Sequence, residues 1–469
     1  MEKLKAIFMA WSQSVDINCY TKMMAYRPNY KVQFIWLIIL IGSTGATFYF
    51  ISKSLIDYLK YEVVSQTTVI NEVPTQFPAV TFCDNNPLST EKAQIYMESI
   101  ADANGLSLFQ SPMELTYLSQ LNASSPSTSD ETRMKLGLSL GQITCFYATN
   151  DCKNDLHWFW SFDYGNCYTF NSGLNLTSQK INLKDAYKYG KGFGLNVIVN
   201  LIDMNKYIGS DAKGLVVFVH NSSFKPSSKE VFVKPGELTH IQVERKFVEK
   251  QPSPYSECIE LNSYSSELYD YIVNSCQKYR QQDCFELCLQ QKFLKNCNCF
   301  FPGYQNLSTK LKPCLNLTEF FCGIKQNYNF NLDECKTNFC PLEWNSIKYD
   351  LTLSSLVYPS QSYYDTIINT KEARDFIQSA FNITLNIDII KSNRAAFYVY
   401  YSSLDYTLQT ESPKTSIADL FSQVGGALGL FVSFSIFTVF EFIEILILVI
   451  YNLISKNKSN RAIQNTNQK

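Results

Sequence analysis

Two uncharged apolar runs set the terms on which this chain can fold. Val32–Ser52 holds 21 residues between Lys31 and Lys53. Leu420–Phe440 holds another 21 between Asp419 and Glu441, and its apolar character continues to about Ile454. A bilayer core needs roughly 20 apolar residues as a helix, so each run is long enough to cross. The first lies too deep, and is too long, for a cleaved signal peptide. The layout predicts a membrane protein with a large middle region and excludes most soluble enzymes.

Orientation follows from the flanks. The head carries Lys3, Lys5, Lys22, Arg27 and Lys31 against Glu2 and Asp16, and the tail carries Lys456, Lys458, Arg461 and Lys469 with no acid. Positive flanks stay inside, so both ends are expected in the cytoplasm of a plasma-membrane protein. The expected segments are 1–31 inside, 32–52 as the first span, 53–413 outside, 414–454 as a pre-pore segment and second span, and 455–469 inside. A net charge of −1 without a basic block gives no sign of nucleic-acid binding.

Of 15 cysteines, Cys19 alone lies on the inner side; the other fourteen fall in the outer region, an even number that suits a disulfide framework. Six N-x-S/T acceptors for glycosylation share that region: Asn122, Asn175, Asn221, Asn306, Asn316 and Asn382.

Within it, Leu55–Val80 reads as the exit of the first span followed by a strand, with β-branched Val63, Val64, Thr67, Thr68, Val69 and Ile70, and 90–140 as a polar, helix-prone surface excursion. Alternation between 194 and 248, as in Leu215–His220, predicts strands and hairpins. Apolar spacing predicts helix over 264–297 and a shorter one at Lys371–Phe381. Phe397–Leu408 alternates and leads almost directly into the second apolar run.

Two constellations carry chemistry. Cys284-x3-Cys288-x8-Cys297-x-Cys299 puts its first pair on adjacent turns of one helix. With His157, His220 and His240 remote in sequence, disulfides fit better than a metal. The second apolar run holds Gly425, Gly426, Gly429, Ser433 and Ser435 at membrane depth, with Glu441 and Glu444 beyond. Tight helix packing through Gly425-x3-Gly429 accounts for the glycines. It accounts less well for the serines and the acids, each of which costs roughly 2.5–3.5 kcal/mol at a helix centre. A cation pathway lined by a broken helix explains both. A position near the inner interface is the other reading of the acids.

Four stretches carry a resemblance: Phe77-Pro-Ala-Val-Thr-Phe-Cys83, Tyr164-Gly-Asn-Cys-Tyr-Thr-Phe-Asn-Ser-Gly173, the Cys284–Cys299 spacing, and Asp419 to Glu441. In this order they resemble the epithelial sodium channel, degenerin and acid-sensing ion channel family over nearly the whole chain. The resemblance implies an α+β membrane fold with two spans, a β-rich palm, a helical thumb, and finger and knuckle excursions, assembled as a trimer.

It further places the ion filter on Ser433, Phe434 and Ser435, the gate position on Ser422 followed by Gln423, and pore-lining roles on Gly425, Gly426, Gly429, Glu441 and Glu444. Tyr61 and Tyr255 take the places of the aromatic pair that couples thumb to first helix. The implied disulfides are Cys83–Cys167, Cys145–Cys152, Cys284–Cys340, Cys288–Cys335, Cys297–Cys322 and Cys299–Cys314. Trp344 stands where the partner of Cys258 belongs, so Cys258 is assigned to the additional Cys276.

Asn18 and Cys19 replace the cytoplasmic His-Gly pair, and Glu62 and Val63 stand where acid-sensing histidines occur. The implied function is a subunit of an amiloride-sensitive, sodium-permeable cation channel gated through its outer region. It would form a homotrimer, or a heterotrimer with related subunits, in contact with lipid. No cofactor is implied. The alternative from another class is a non-conducting or partner-dependent two-span receptor or adhesion subunit. An ATP-gated purinergic receptor shares the topology without the motifs.

Overall fold

The computed structural model describes residues 29–106, 112–201, 210–226, 229–256, 258–259, 265–274, 279–305, 307, 311–370, 387–435 and 438–451. Its contacts separate two compact units, one formed by Met1–Val64 with Glu411–Lys469 and the other by Ser65–Thr410.

The first unit is helical. Helix α1 spans Tyr30–Leu59 and is about 45 Å long at 1.5 Å per residue. It runs past the uncharged segment because Asp57 and Lys60 pair at 2.8 Å on its last turn. Its apolar side chains point outward: Phe34, Ile38 and Ile41 are all exposed. A helix apolar around its circumference and unburied by its own chain fits a lipid surroundings. The second apolar run is not one rod. Helix α8 (Ile417–Val432) stops inside it, and a further helix, α9, occupies residues 438–451.

The second unit is built on two large sheets, with two two-stranded sheets beside them among the described residues. In the larger, β15 (Asn345–Val357), β12 (Glu237–Glu249), β16 (Arg394–Pro413), β9 (Leu195–Asn200), β4 (Ile143–Tyr147) and β5 (Asn150–Asp151) lie in that order, with β1 (Val63–Asn71) also paired to β16. In the smaller, the order is β11 (Val231–Val233), β10 (Leu215–His220), β3 (Ala79–Asp84), β7 (Gly165–Phe170) and β6 (Leu156–Ser161). β9 alternates buried and half-buried positions, as its Leu-Asn-Val-Ile-Val-Asn pattern requires, whereas β10 is buried throughout. Both sheets feed one core. Phe82 of β3 meets Phe397 of β16 edge-on at 5.6 Å, and Phe77 meets Phe170 at 6.1 Å. Gly165, at φ +66°, opens the Tyr164-Gly motif because a Cβ there would sit 2.7 Å from the Pro87 carbonyl oxygen.

The 90–140 excursion has a core of its own. Helices α2 (Glu91–Asn104) and α3 (Pro112–Ser124) bury Met97, Ala101, Leu115 and Leu136, so this segment is more than surface decoration. The helix expected over 264–297 is two: α4 (Glu267–Asn274) and α5 (Gln281–Cys297), with Arg280 in extended backbone before the second. The expected helix at Lys371–Phe381 lies outside the described residues.

Among the described residues six disulfides close in this unit, and they are six of the pairs named from the resemblance. Cys284 and Cys288, one turn apart on α5, hold Cys340 and Cys335. Cys297 ties the end of α5 to Cys322 on α6 (Leu317–Tyr328), and Cys335 itself lies on α7 (Leu332–Asn338). Cys258 begins a short strand parallel to Leu342–Glu343, two residues from Trp344, which places it beside the lost partner position. Its side chain and Cys276 fall outside the described residues.

His220 closes β10 with a fixed tautomer. Nδ1 lies 3.0 Å from the Asn221 carbonyl, which can only accept, so Nδ1 carries the proton. Nε2 therefore accepts from the Thr81 hydroxyl at 2.8 Å, and Thr81 accepts from Thr169 at 2.7 Å. Burial pushes this imidazole down to about 4. The unfolded chain then binds a proton that the folded chain does not, between pH 6.5 and 4. Stability present above pH 6.5 should thus fall by about 3 kcal/mol as pH drops to 4. Thermal unfolding of the full chain at stepped pH should show that loss, reduced in His220→Gln; equal pH dependence of the two proteins would contradict it.

Candidate functional site

The interruption in the second apolar run is built by its own residues. Ser416 caps the start of α8: its hydroxyl accepts from the Asp419 amide at 3.1 Å, while the Asp419 carboxylate accepts from the Ser416 amide at 2.9 Å. At the far end Ser433 adopts left-handed backbone, φ +60°. Its N–H donates to the Gly429 carbonyl at 3.2 Å, and the Phe434 N–H donates to Leu428 at 3.1 Å. These nested bonds, each one residue wider than those of a Schellman motif, close the helix around the left-handed Ser433. Two residues past Ser433, the Ser435 amide donates to Thr438 Oγ1 at 3.1 Å, and the Thr438 amide donates back to Ser435 Oγ at 3.4 Å. The second cap opens α9.

The consequence concerns oxygens. In a continuous helix the amides of Phe434 and Ser435 would bond the carbonyls of Leu430 and Phe431. Here they turn to Leu428 and Thr438 instead. Two carbonyls at the negative end of a helix dipole are thereby released toward other ligands, and the serine hydroxyls stand beside them. Exposed polar backbone at membrane depth is tolerated where it is covered by protein or lines water. Ser433, Phe434 and Ser435 are half-buried, half-buried and exposed in the chain by itself.

The faces of α8 separate the sequence readings. Ala427 is buried against α1, and Phe431 stacks on Phe50 at 5.4 Å. At 100° per residue, Ser422, Gly425 and Gly429 fall on the opposite side. A Cβ added at Gly425 or Gly429 would meet nothing within 4 Å. Packing against α1 therefore does not explain these two glycines. Ser422 shares their stripe and donates to the Ala418 carbonyl at 2.8 Å. Gln423 does not: it lines a groove toward α1 together with Gly426. The pair assigned to the gate is thus split between two faces. On α9, Glu441 is half-buried and Glu444 exposed.

Tyr61 sits in the turn after α1, at φ +50°, with its ring 5.9 Å from that of Tyr58. Tyr255 belongs to the other unit, in a turn closed by its amide to the Pro252 carbonyl at 3.0 Å. Glu62, where a histidine would serve acid sensing, is held by Lys414 at 2.6 Å. Asn18 and Cys19 lie outside the described residues.

Two polar features escaped the sequence reading. Arg245 on β12 is 5 % exposed, pairs with Glu72 at 2.7 Å, and lies among the rings of Phe247, Tyr401 and Tyr406. A cleft of about 260 Å³ gathers Asp163, Glu230 and Glu286 beside Tyr164, whose hydroxyl donates to Glu230 at 2.8 Å. Burial pushes Glu286 up, and crowding by protein followed by the charge of Glu230 raises Asp163. Nothing in the local spacing of these residues signals that they meet.

Among the glycosylation positions, Asn316 is exposed and caps α6 by accepting from the Glu319 amide at 2.8 Å, and Asn175 and Asn221 stand in turns. Asn122 is half-buried on α3, its amide donating to the Leu118 carbonyl, which makes it the least suited to carry a sugar. Asn306 and Asn382 lie outside the described residues.

Comparison with known proteins converges on one family. The model of the amiloride-sensitive sodium channel family matches residues 11–445. The human bile acid-sensitive ion channel is 24% identical over 88% of this chain and 80% of its own length. Zebrafish (Danio rerio) acid-sensing ion channel 1C is 23% identical over 93% of this chain and 82% of its own. The Xenopus laevis epithelial sodium channel subunit beta is 26% identical over 71% of this chain, which spans only 51% of that relative. These relatives are ion channels and not enzymes. With the family model covering nearly its whole length, the chain belongs to the amiloride-sensitive sodium channel family, as a disulfide-rich α/β membrane channel subunit.

Proposed function

We propose that this chain is one subunit of a trimeric, amiloride-sensitive channel that passes sodium through residues 420–444. Both termini are cytoplasmic, α1 and the α8–α9 segment are the two spans, and 53–413 faces outward. One observation carries the reading: α8 ends on the Ser433 cap with two released carbonyls, below an open Ser422–Gly425–Gly429 stripe turned away from α1. Three such stripes around an axis would face one another, which supplies the water or protein that the broken backbone requires. Carbonyl and hydroxyl oxygens at Ser433–Ser435 would replace the hydration shell of the ion. Glu441 and Glu444 would then meet the ion on its inward side. Copies of this chain or related subunits complete the ring. Gating is assigned to the outward unit, acting through Tyr61, Tyr255 and the strands that lead into both spans.

The test is access. Single cysteines placed at 433, 434 and 435, in oocytes under voltage clamp, should react with a charged, membrane-impermeant thiol reagent and lose current. Replacing sodium by a large organic cation should abolish the inward current, and amiloride should block it. Unreactive cysteines would favour the two-span receptor or adhesion reading.

A further inference from the structure

Seven residues of the Ser65–Thr410 unit, Tyr187-Lys-Tyr-Gly-Lys-Gly-Phe193, alternate aromatic rings with cations. Their rings stand in the open: Tyr187 is 67 % exposed, Tyr189 64 % and Phe193 44 %. A loose backbone does not account for that exposure. Before the segment, the Lys184 amide donates to Asn171 Oδ1 at 2.6 Å, the Asp185 carbonyl accepts from the Tyr147 hydroxyl at 3.1 Å, and buried Ala186 pairs with Thr75. Further along, the Gly190 amide donates to the Tyr401 carbonyl at 3.0 Å, and the Gly194 carbonyl accepts from the Ala148 amide at 3.1 Å. Large rings held outward on a fixed backbone mark an interaction surface, because the ordering that binding requires is already in place.

Charge and residue choice narrow the partner. Lys180, Lys184, Lys188 and Lys191 stand against Asp185 in the same stretch and Asp155, which holds Lys184 at 2.9 Å; four cations against two acids leave a surplus of two. Lys188 lies over the Phe193 ring at 5.1 Å, Lys191 is exposed, and neither pairs with a carboxylate among the described residues. All four cations are lysine. Protein partners favour the planar arginine fork for carboxylates and are depleted in lysine at their contacts. Ammonium point charges instead suit anionic groups repeated along a flexible chain. An exposed tyrosine adds a flat apolar face with a polar tip, which complements the C–H face of a sugar ring.

We propose that Tyr187–Phe193 binds a linear sulfated polysaccharide of the cell surface. Its sulfates pair with Lys188 and Lys191, and its sugar rings lie against Tyr187 and Tyr189. The extracellular source rests on the topology proposed above; the binding chemistry does not. Because exposed charges make the contact, it weakens as salt screens them.

The experiment is a titration of a fluorescent heparin decasaccharide with the full chain in phosphatidylcholine nanodiscs, read by anisotropy at stepped salt. Lys188→Ala with Lys191→Ala should weaken binding about thirtyfold, at roughly fivefold for each cation beside a polyanion, and lower the slope of log Kd against log salt by about two. Lys188→Arg with Lys191→Arg should retain it. Tyr187→Ala with Tyr189→Ala should weaken it about tenfold and leave the salt slope unchanged. Lys92→Ala with Lys325→Ala, two exposed lysines elsewhere, should leave Kd as it was. Polyglutamate of equal charge, which has no sugar faces, should bind far more weakly. Equal binding by polyglutamate, an unaltered Kd in the lysine-to-alanine or tyrosine pair, or loss in the arginine pair overturns the proposal. A lysine-reactive acetyl ester should modify Lys188 and Lys191 in the free assembled chain and be blocked by the decasaccharide. If both are blocked without it, a second copy covers the segment and the proposal falls. None of these readouts depends on current, so the channel reading and this one fail separately.

Discussion

Sodium current is expected to fall to background when Ser435 is replaced by tryptophan, with the chain still reaching the cell surface. Ser435 lies between the end of α8 at Val432 and the start of α9 at 438, where its hydroxyl and amide serve Thr438. An indole there fills the one interval at which the backbone leaves the helix. The companion variants discriminate loss of passage from loss of fold. Ser433→Gly should conduct, since glycine accepts the left-handed backbone at this cap without a Cβ penalty. Ser433→Val should weaken the termination further, because a β-branched side chain tolerates this left-handed backbone less well than serine does. Surface biotinylation beside voltage clamp checks all three. Unreduced current in Ser435→Trp would remove Ser435 from the ion path.

The second large effect concerns stability. Glu72→Ala should destabilise the Ser65–Thr410 unit by roughly 3 kcal/mol, because it leaves the Arg245 guanidinium buried without its carboxylate. The remaining contacts, hydrogen bonds to Thr75 at 3.0 Å and to the Leu404 carbonyl at 3.4 Å and three aromatic faces within 5.3–5.8 Å, do not neutralise it. Removing both charges as Glu72→Ala with Arg245→Met should recover much of the loss, since a well-packed apolar group needs no partner. Thermal unfolding of the four proteins forms the cycle. A double variant less stable than Glu72→Ala alone would show that the pair stabilises rather than specifies.

Residues whose neighbours are close in sequence were the legible ones. The break at Ser433–Ser435 could be anticipated because glycine, serine and acid at membrane depth have few physical explanations, and Ser435-x-x-Thr438 is itself a capping pattern. Strand β10 was legible as a strand, although it is buried throughout and does not alternate. The disulfide pairs became readable through resemblance rather than spacing, since fourteen cysteines admit very many pairings. What stayed hidden was long-range: Arg245 meets Glu72 across 173 positions, and His220 meets Thr81 across 139. Periodicity assigns such residues to a face and says nothing of what lies opposite. The split of 264–297 at Arg280 was missed for a related reason, as apolar spacing continues smoothly through a change in backbone direction.

Each half of the second apolar run finishes itself. The upper helix is closed by bonds among residues 428–434, and the lower is begun by bonds between Ser435 and Thr438. The tripeptide at their junction therefore behaves as an exchangeable cassette: its chemistry can drift without unravelling either flank, provided that the left-handed turn and the downstream cap survive. Preference among ions could in this way diversify between paralogous subunits while the surrounding scaffold stays constant.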